Sequence, residues 1–406
     1  MDVLDVVMNK GNAFPFFQPI ISADKQEVTG YEVLPRYQKE NNDIISLSPI
    51  LNDTAIPEEY RVELDEHIRH QALQHYITEN RDDYLFLNVD ANVIAADGGE
   101  TFFEKLAYYT NQGIALEHII LEIKEHHFQG STSQLKHFIQ YVQSMNMKVA
   151  LDDVGKSTSN LNSITYLEPD IIKVHLGFME DHSFPSIFRE MLHSLSMISR
   201  KIGASLLFDN ISEFHQLNYA WRHGARYYQG HYLGRPSNTT VDKTTFAASL
   251  RKDFHHFLQF EKKKIQAQYG LIDTLNARLY EHIKATKEVS DIDKLTQDVA
   301  KSFEDIAFRV YICNQEGFQQ SGNALLDQDG QWQYRKEERH RNWSWRPYFL
   351  ENIIKMNYEK RGILSDLYTD IHKGERIRTY SYPVNEELYV FLDIPYSYLY
   401  EQDFLL

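Results

Sequence analysis

The chain has one cysteine, Cys313, among its 406 residues, and it has no long apolar run. A single cysteine cannot form an intramolecular disulfide, and we interpret Cys313 as a small buried apolar residue rather than a reactive thiol. No stretch approaches the roughly 18 apolar residues that a transmembrane helix needs. The N-terminus also lacks the basic segment followed by an apolar one that marks a signal peptide. These absences predict a cytoplasmic protein without a membrane span.

The chain has fewer basic than acidic residues, with 42 Lys and Arg and 58 Asp and Glu, which gives a formal net charge of −16. Long nucleic acids are bound through clustered Lys and Arg on their phosphates, so this charge argues against a polymeric nucleic-acid partner. It does not exclude a small anionic ligand, since a divalent metal can reverse the local sign of an acidic pocket. The length predicts about two domains.

Residues 1–242 repeat one pattern, in which a short apolar run ends in a polar residue and is followed by a segment with helical spacing. Leu64, Ile68 and Ala72 show that helical spacing at steps of four. Strands that alternate with helices predict a mostly parallel α/β sheet, and the length fits a (β/α)₈ barrel of about 250 residues. The residues that end these runs are Glu32, Asn88, Glu122, Asp152, Asp153, Lys173, Asp209 and Gln229.

Active sites of such barrels lie at the C-terminal ends of the strands, which is where these polar residues fall. The alternative is that each polar residue only caps the helix that follows it. Capping is a good explanation for any one of these residues, but it explains the whole series less well. The acids and Asn88 carry the hard oxygen ligands that Mg²⁺, Mn²⁺ and Ca²⁺ prefer. Two carboxylates about 4 Å apart repel by about 4 kcal/mol at an effective dielectric near 20. Convergence therefore requires either raised pKa values or one or two divalent metals. Lys173 could assist hydrolysis, or it could form a structural ion pair.

The segment Glu32-Val33-Leu34-Pro35-Arg36 resembles the E-x-L-x-R signature of the EAL family of cyclic di-GMP phosphodiesterases. Further matches follow in the family's order, and they cover most of residues 14–237. The family fold is a modified (β/α)₈ barrel with one antiparallel strand. The matching segments are Phe17-Gln18-Pro19-Ile20, Leu64-Asp65 with Gln71-Ala72-Leu73, Leu87-Asn88-Val89, Leu121-Glu122-Ile123-Lys124-Glu125, Leu151-Asp152-Asp153, Ile172-Lys173, and Gln229-Gly230-His231-Tyr232 through Arg235-Pro236.

The resemblance implies hydrolysis of cyclic di-GMP to pGpG with Mg²⁺ or Mn²⁺, and it implies that Ca²⁺ can bind and inhibit. Arg36 matches a residue that grips a ligand phosphate, and Glu125 matches an acid that braces the loop after the paired aspartates. Lys173 and Asp209 are the other catalytic candidates. Residues that match the metal ligands are Glu32, Asn88, Glu122, Asp152 and Asp153. Residues that match positions lining the dinucleotide site are Gln18, Leu34, Arg36, Asp152, Gln229 and Pro236.

The resemblance to the EAL family is weakest around the residues that would take part in hydrolysis. The family's loop after the aspartates resembles DFGTGYSSL, and residues 153–161 lack its Phe, its second Gly and its Tyr. The acid expected two positions after Lys173 is His175, and the proposed general base becomes the shorter Asp209. A catalytic group displaced by about 1 Å can lower the rate about 100-fold. We therefore predict binding of cyclic di-GMP with slow or absent hydrolysis. A working phosphodiesterase, or a scaffold that has lost both properties, are the alternatives.

Residues 243–295 predict one or two long amphipathic helices that link two domains, since Phe246, Leu250, Phe254 and Phe257 share one face. Residues 296–406 are rich in β-type runs and predict an α+β module, which resembles PAS-like or Cache-like sensor domains. Such modules often bind small ligands. The aromatic residues that either line a pocket or, as we favour, pack in the core are Trp343, Trp345, Tyr348 and Tyr382. The apolar helix stripe and the family also suggest a homodimer.

Overall fold

A computed structural model describes residues 3–53, 55–96, 99–124, 128–154, 161–180, 186–285, 291–327, 329–346, 349–371 and 374–402. The chain divides into two compact units, Met1–His255 and His256–Leu406. Within the described ranges, no helix is both long and apolar enough to cross a membrane.

The first unit is built on a barrel. Its described residues form the strands β1 (Ala13–Ser22), β2 (Val28–Gln38), β3 (Ile44–Ser46), β4 (Tyr84–Asn88), β5 (Ile119–Ile123), β6 (Lys148–Val154), β7 (Ile171–His175), β8 (Ser205–Asp209) and β9 (Tyr227–Tyr228). Strands β2 and β4 to β9 run parallel, and β1 closes the ring as an antiparallel strand between β2 and β9. Strand β3 pairs with β2 outside the ring. The predicted modified (β/α)₈ barrel is confirmed.

Helices surround these strands. In the described part of the first unit they are α1 (Val3–Met8), α2 (Ser48–Leu51), α3 (Glu58–Thr78), α4 (Ala91–Ala96), α5 (Glu100–Thr110), α6 (Thr132–Ser144), α7 (Leu161–Leu167), α8 (Ser186–Ile202) and α9 (Phe214–Arg222). The spacing of Leu64, Ile68 and Ala72 predicted α3, and all three side chains are buried along it. Helix α6 begins at a capping box, in which Ser131 and Gln134 satisfy each other's backbone N–H groups.

Strand β1 is one that the apolar runs did not predict. It contains Pro15 and Pro19, and prolines argue against a strand that is paired on both edges. The structure accommodates them because β1 pairs along its length with β2, whereas its pairing with β9 is confined to Ile21 and Ser22. An isolated bridge from Phe17 to Ser237 adds one more contact on this strand.

The barrel interior is filled by an apolar layer to which seven strands contribute one residue each. Side chains alternate between the two faces of a strand, so these residues mark the inward face of each strand. The eighth strand, β2, places Gly30 opposite Ile20. A Cβ on Gly30 would lie 2.4 Å from the Tyr84 carbonyl oxygen, so only glycine fits there. The layer consists of Ile20, Phe86, Ile120, Ala150, Ile171, Leu207 and Tyr227.

The second unit contains an antiparallel sheet. Its described strands are β10 (Arg309–Asn314), β11 (Asn323–Leu326), β12 (Trp332–Arg335), β13 (Ile363–Leu364), β14 (Tyr368–Thr369), β15 (Arg376–Pro383) and β16 (Leu388–Pro395). The order is β12-β11-β10-β16-β15-β13, and β14 also pairs with β15. The helices are α10 (Ala247–Ala285), α11 (Ile292–Ser302), α12 (Phe349–Glu359) and α13 (Tyr396–Glu401).

Helix α10 lies within residues 243–295, for which one or two long helices are predicted. It begins in the first unit and ends in the second. Its last turns place Leu271, Leu275 and Leu279 in the core of the second unit, against one face of that unit's sheet. The boundaries at 242 and 295, and the PAS-like or Cache-like character of the second unit, stay predictions.

Candidate metal and ligand site

The polar strand-end residues form a second layer directly beyond the apolar one. In each parallel strand the polar residue lies two positions after the apolar residue, and in antiparallel β1 it lies two positions before. A shift of two keeps a side chain on the same face, so the polar residues share the barrel interior at the C-terminal ends of the strands. They are Gln18, Asn88, Glu122, Asp152, Lys173, Asp209 and Gln229, with Glu32 two positions after Gly30.

Lys173 is the centre of this layer. Its Nζ donates to Glu32 Oε2 at 2.8 Å and to both carboxylate oxygens of Glu122 at 2.9 and 3.1 Å. It also lies 4.0 Å from Asp152 Oδ1. Its side chain is only 2% exposed. One buried ammonium therefore faces three carboxylates.

Two amides complete the surroundings of Glu32. Asn88 Nδ2 donates to Glu32 Oε1 at 2.9 Å, and Gln229 Nε2 donates to Glu32 Oε2 at 2.5 Å. The same Gln229 nitrogen lies 3.2 Å from Gln18 Oε1. The other side-chain atom of Gln229, Oε1, is buried and has no hydrogen-bond partner. Gly230 follows with φ +147°, and a Cβ there would lie 2.2 Å from the Ile211 carbonyl oxygen.

The adjacent aspartates are separated by a bulge. Between Leu151 and Val154 the pairing of β6 with β7 shifts, so Asp152 and Asp153 together oppose Lys173. Asp153 has φ +60°, which is the left-handed region that Asp tolerates better than most residues. A bulge re-aims side chains that a flat strand would send to opposite faces. Asp152 faces Lys173, whereas Asp153 Oδ2 lies 3.5 Å from Lys124 Nζ.

Burial and charge set the protonation of the buried groups. Burial opposes ionisation of Glu32, but Lys173 and the hydrogen bonds to Glu32 outweigh it and lower its pKa to about 2. Burial and the Glu32 charge raise the pKa of Glu122 well above its usual value. Burial likewise raises the pKa of Asp152. Lys173 neutralises one carboxylate and leaves the others short of positive charge.

These residues fit a divalent cation by their chemistry, because several carboxylates share one ammonium, the Gln229 oxygen is buried without a hydrogen-bond partner, and both are hard oxygen donors. Among the described residues, no three His, Cys, Asp or Glu side chains are already arranged to hold a metal. The reason is visible in the contacts, since Glu32 and Glu122 turn toward the Lys173 ammonium. We expected that the acids could converge only with bound metals or with raised pKa values. In the structure, the Lys173 ammonium supplies part of the positive charge that balances these carboxylates.

The other predicted ligand residues lie along β2. Glu32, Leu34 and Arg36 are two positions apart and therefore share one face. Arg36 is about 13 Å further along the strand than Glu32, at about 3.3 Å per residue. Its guanidinium donates to the Pro35 carbonyl oxygen at 2.9 Å and lies over the Phe16 ring, 5.6 Å from the centroid. Sequence analysis missed Phe16, although its alternation with Gln18 on β1 places both on one face.

The end of β8 carries Asp209. Its Oδ2 lies 3.6 Å from His175 Nδ1, and its Oδ1 accepts from the Asn210 backbone N–H at 2.5 Å. Asp209 is also among the charges that raise the pKa of Lys173. The predicted general base is thus close to Lys173 but is engaged by the histidine that replaces the expected acid.

Two further predicted site residues are Pro236 and Glu125. Pro236 lies beside β1, because the next residue, Ser237, exchanges backbone hydrogen bonds of 2.7 and 3.1 Å with Phe17. Glu125, and most of the loop after Asp153, lie outside the described residues. Lys124, the partner of Asp153, was missed as a site residue, and its only sequence signal was its place two positions after Glu122.

A barrel with one antiparallel strand and an acid-rich site at the C-terminal ends of its strands defines the class as a modified TIM-type barrel. Family models match the EAL domain at residues 2–236 and the EAL-domain associated signalling protein domain at residues 240–406. The chain belongs to the EAL domain family.

The chain is similar to three proteins of this family. An uncharacterized EAL-domain containing protein of Bacillus subtilis, YkuI, is 42% identical over 408 residues and covers 100% of both chains. The crystal structure of YkuI, solved with c-di-GMP and calcium, matches with a TM-score of 0.94 over 100% of both chains. The Escherichia coli cyclic di-GMP phosphodiesterase PdeL is 22% identical over 55% of this chain and 62% of its own. The FimX EAL domain, at 20% identity, TM-score 0.51 and coverage of 60% and 99%, shows the shared fold.

Proposed function

We propose that this chain binds cyclic di-GMP together with a divalent cation at the C-terminal end of its barrel, and that it is a signalling receptor with slow or absent hydrolysis. The observation that carries the proposal is the buried group of Glu32, Glu122 and Asp152 around the single ammonium of Lys173. The complex of YkuI with c-di-GMP and calcium supports it, because YkuI is 42% identical over the whole chain.

The metal ligands in this proposal are Glu32, Asn88, Glu122, Asp152 and Asp153. A bound Mg²⁺, Mn²⁺ or Ca²⁺ would supply Lewis-acid stabilisation of a phosphoryl oxygen. Lys173 holds Glu32 and Glu122 at the floor of the site. Gln18, Leu34, Gln229 and Pro236 would line the dinucleotide, and Arg36 would grip its more distant phosphate.

Slow hydrolysis is proposed from the state of the reacting groups. Residues 153–161 lack the Phe, the second Gly and the Tyr of the family's loop, and His175 replaces the acid expected two positions after Lys173. Asp209, the remaining candidate base, is next to His175 and accepts from the Asn210 backbone. A general base must reach the proton that it takes, and Asp209 is one methylene shorter than the expected Glu and lies beside His175. Glu125 would brace the loop after Asp153, as the resemblance implies.

A turnover assay tests the proposal. Purified protein with excess Mg²⁺ or Mn²⁺ is incubated with cyclic di-GMP, and products are resolved by chromatography while bound nucleotide is quantified. We expect retention of the nucleotide, loss of retention in EDTA, and little or no pGpG. Asp152→Asn should weaken retention, whereas Asp82→Asn, at an exposed ion pair with Lys243, should leave it unchanged. Steady pGpG formation would instead establish the active phosphodiesterase, and absence of retention would contradict nucleotide binding.

A cytoplasmic homodimer is a further part of the proposal. On the second-unit part of α10, the large apolar side chains of Leu258, Ile265 and Tyr269 are 57%, 51% and 52% exposed. We expect light scattering after size-exclusion chromatography to give twice the chain mass. Leu258→Glu combined with Ile265→Glu should yield monomers if this surface mediates the contact. A monomeric parent protein would contradict the dimer.

A further inference from the structure

Helix α12 covers one face of the second-unit sheet. Its inward side chains, Phe349, Ile353 and Met356, are buried in a cluster with Tyr311 and Phe391 of strands β10 and β16. Because the three helix residues follow one another at steps of four and three, they form one stripe of α12. This inward stripe is sufficient to attach α12 to its own chain.

The aromatic residues predicted for this unit divide between its interior and its surface. Tyr382 is buried in the core, and Trp343 packs partly buried against the cluster under α12. Trp345 is instead 65% exposed, and Tyr348 lies outside the described residues. The favoured core packing is therefore wrong for Trp345.

The outward face of α12 is also apolar. Leu350, Ile354 and Tyr358 follow one another at steps of four, and they are 63%, 60% and 90% exposed. Residues four apart are neighbours on the surface of a helix, so these three form a second stripe about two turns long. A helix that is apolar all round is normally buried on every side. Within the part of the chain that the structure describes, this outward stripe stays uncovered.

Two opposite charges lie beside the outward stripe. Glu351 and Lys355 are both exposed, and each directly follows a residue of the stripe in the chain. A turn takes about 3.6 residues, so both charges lie on the same flank of the stripe, one turn apart. The exposed surface of α12 therefore combines an apolar stripe with one acid and one base in a fixed order along one flank.

This order of charges is self-complementary when two copies of α12 meet in antiparallel orientation. A two-fold axis perpendicular to both helices brings each flank against the same flank of the second copy. With the axis near Ile354, Glu351 of each copy lies within about 3 Å of the level of Lys355 of the other, at a rise of about 1.5 Å per residue. Flanking charges of this kind set the orientation of paired helices. One contact would thus form two ion pairs, one on each side of the axis.

The end of α12 adjoins the exposed surface of α10. The Arg361 guanidinium lies 6.0 Å from the centroid of the Tyr269 ring, and the Gly362 backbone N–H donates to Asn276 Oδ1 at 2.7 Å. Tyr269 is one of the exposed apolar side chains on α10. The stripe of α12 is therefore continuous with the surface that the homodimer proposal already uses.

We propose that two copies of this chain pair through α12 in antiparallel orientation, with Leu350 of each copy against Tyr358 of the other and Glu351 of each copy against Lys355 of the other. The inference rests on the homodimer proposed above and adds α12 to its contact surface. A two-fold contact uses the same patch on both copies, so that patch has to complement itself. The apolar stripe supplies the driving force, and the charges fix the orientation.

Sedimentation velocity of the full-length protein over a series of concentrations tests the pairing, because it gives the dissociation constant of the dimer. Ile354→Glu places two acids at the axis and should weaken dimerisation about 100-fold, since like charges are costly in an interface. Glu351→Lys and Lys355→Glu each set like charges against each other twice, and each should weaken it about tenfold. All three positions are exposed, so circular dichroism should show unchanged folding.

Two combinations should restore the dimer. The double variant Glu351→Lys/Lys355→Glu exchanges the charges, so opposite charges face each other again and the parent dissociation constant should return. An equimolar mixture of the two single variants should form a heterodimer, because one copy then carries two lysines and the other two glutamates on this flank. Neither recovery is expected for a parallel pair, in which the two flanks do not meet, or for a loss caused by misfolding.

The control is Lys301→Glu, an exposed position on α11, which packs on the opposite face of the sheet and should leave the dissociation constant unchanged. A parent protein that is monomeric at every concentration would overturn the homodimer and this inference together. A dimeric parent whose Ile354→Glu variant stays equally dimeric would leave the homodimer standing and overturn the contact through α12. Failure of both charge combinations to recover the dimer would overturn the antiparallel pairing.

Discussion

Replacing Lys173 with methionine is expected to destabilise the metal-free barrel by about 3–5 kcal/mol, the cost of breaking a buried ion pair by removing one partner. The substitution keeps most of the side-chain volume, so the loss is electrostatic. Glu32 and Glu122, at 2.8 and 2.9 Å from the ammonium, would lose their shared cation. Two buried carboxylates would then repel each other in a region of low dielectric.

Divalent cations should reverse much of this loss. The vacated space lies between hard oxygen donors, and a cation that binds only the folded state stabilises it by mass action. Urea unfolding of the variant and the parent, followed by circular dichroism in EDTA and in excess Mg²⁺ or Ca²⁺, measures the effect. The difference between the two proteins should shrink when the cation is present.

The control for this prediction is Lys243→Met, since Lys243 forms an exposed ion pair with Asp82 at 2.6 Å. Exposed pairs contribute about 0–1 kcal/mol, so this variant should unfold close to the parent in both buffers. A Lys173→Met protein that is as stable as the parent in EDTA would show that the acids do not need the ammonium. A loss of stability that no divalent cation reduces would argue against a metal site among Glu32, Glu122 and Asp152.

Replacing Arg36 with alanine is expected to weaken cyclic di-GMP binding about 10- to 100-fold, while the barrel remains folded. A hydrogen bond to a charged group contributes about 1.5–3 kcal/mol, and each 1.4 kcal/mol is about tenfold in affinity. The guanidinium is held ready by the Pro35 carbonyl oxygen and by the Phe16 ring, so little ordering is required on binding. Calorimetric or fluorescence titration in the presence of Ca²⁺ measures the affinity.

Arg226→Ala is the matched control for this substitution. Arg226 also lies over an aromatic ring, that of Tyr227 at 5.5 Å, but it precedes β9 and thus lies at the other end of the barrel. Its removal should leave the affinity for the nucleotide unchanged. If Arg36→Ala binds as tightly as the parent, the phosphate contact is misplaced and the orientation of the nucleotide along β2 must be revised.

The sequence alone was sufficient for the barrel and for the position of the polar layer. Runs such as YLFL and IIL are apolar throughout, as expected of strands covered on both faces, and each is followed by one polar residue, Asn88 or Glu122. Because parallel strands end at one edge, the positions of Asn88, Glu122 and Lys173 along the chain already placed them together. The period of two residues then aligned Glu32, Leu34 and Arg36 on one face of β2.

Two features of the barrel depend on the tertiary structure and cannot be predicted from local sequence patterns. Strand β1 carries Pro15 and Pro19, and only its uneven pairing with two neighbours explains how they are tolerated. The bulge at Asp152 and Asp153 depends on how β6 pairs with β7, which alternation along one strand cannot reveal.

The role of Lys173 shows the same limit most clearly. From its position, an ion pair and a catalytic role were equally supported. Its contacts with Glu32 and Glu122 join residues that are 141 and 51 positions apart in the chain. The balance of desolvation against charge at this point is set by side chains from several strands, so it exists only once the barrel has closed.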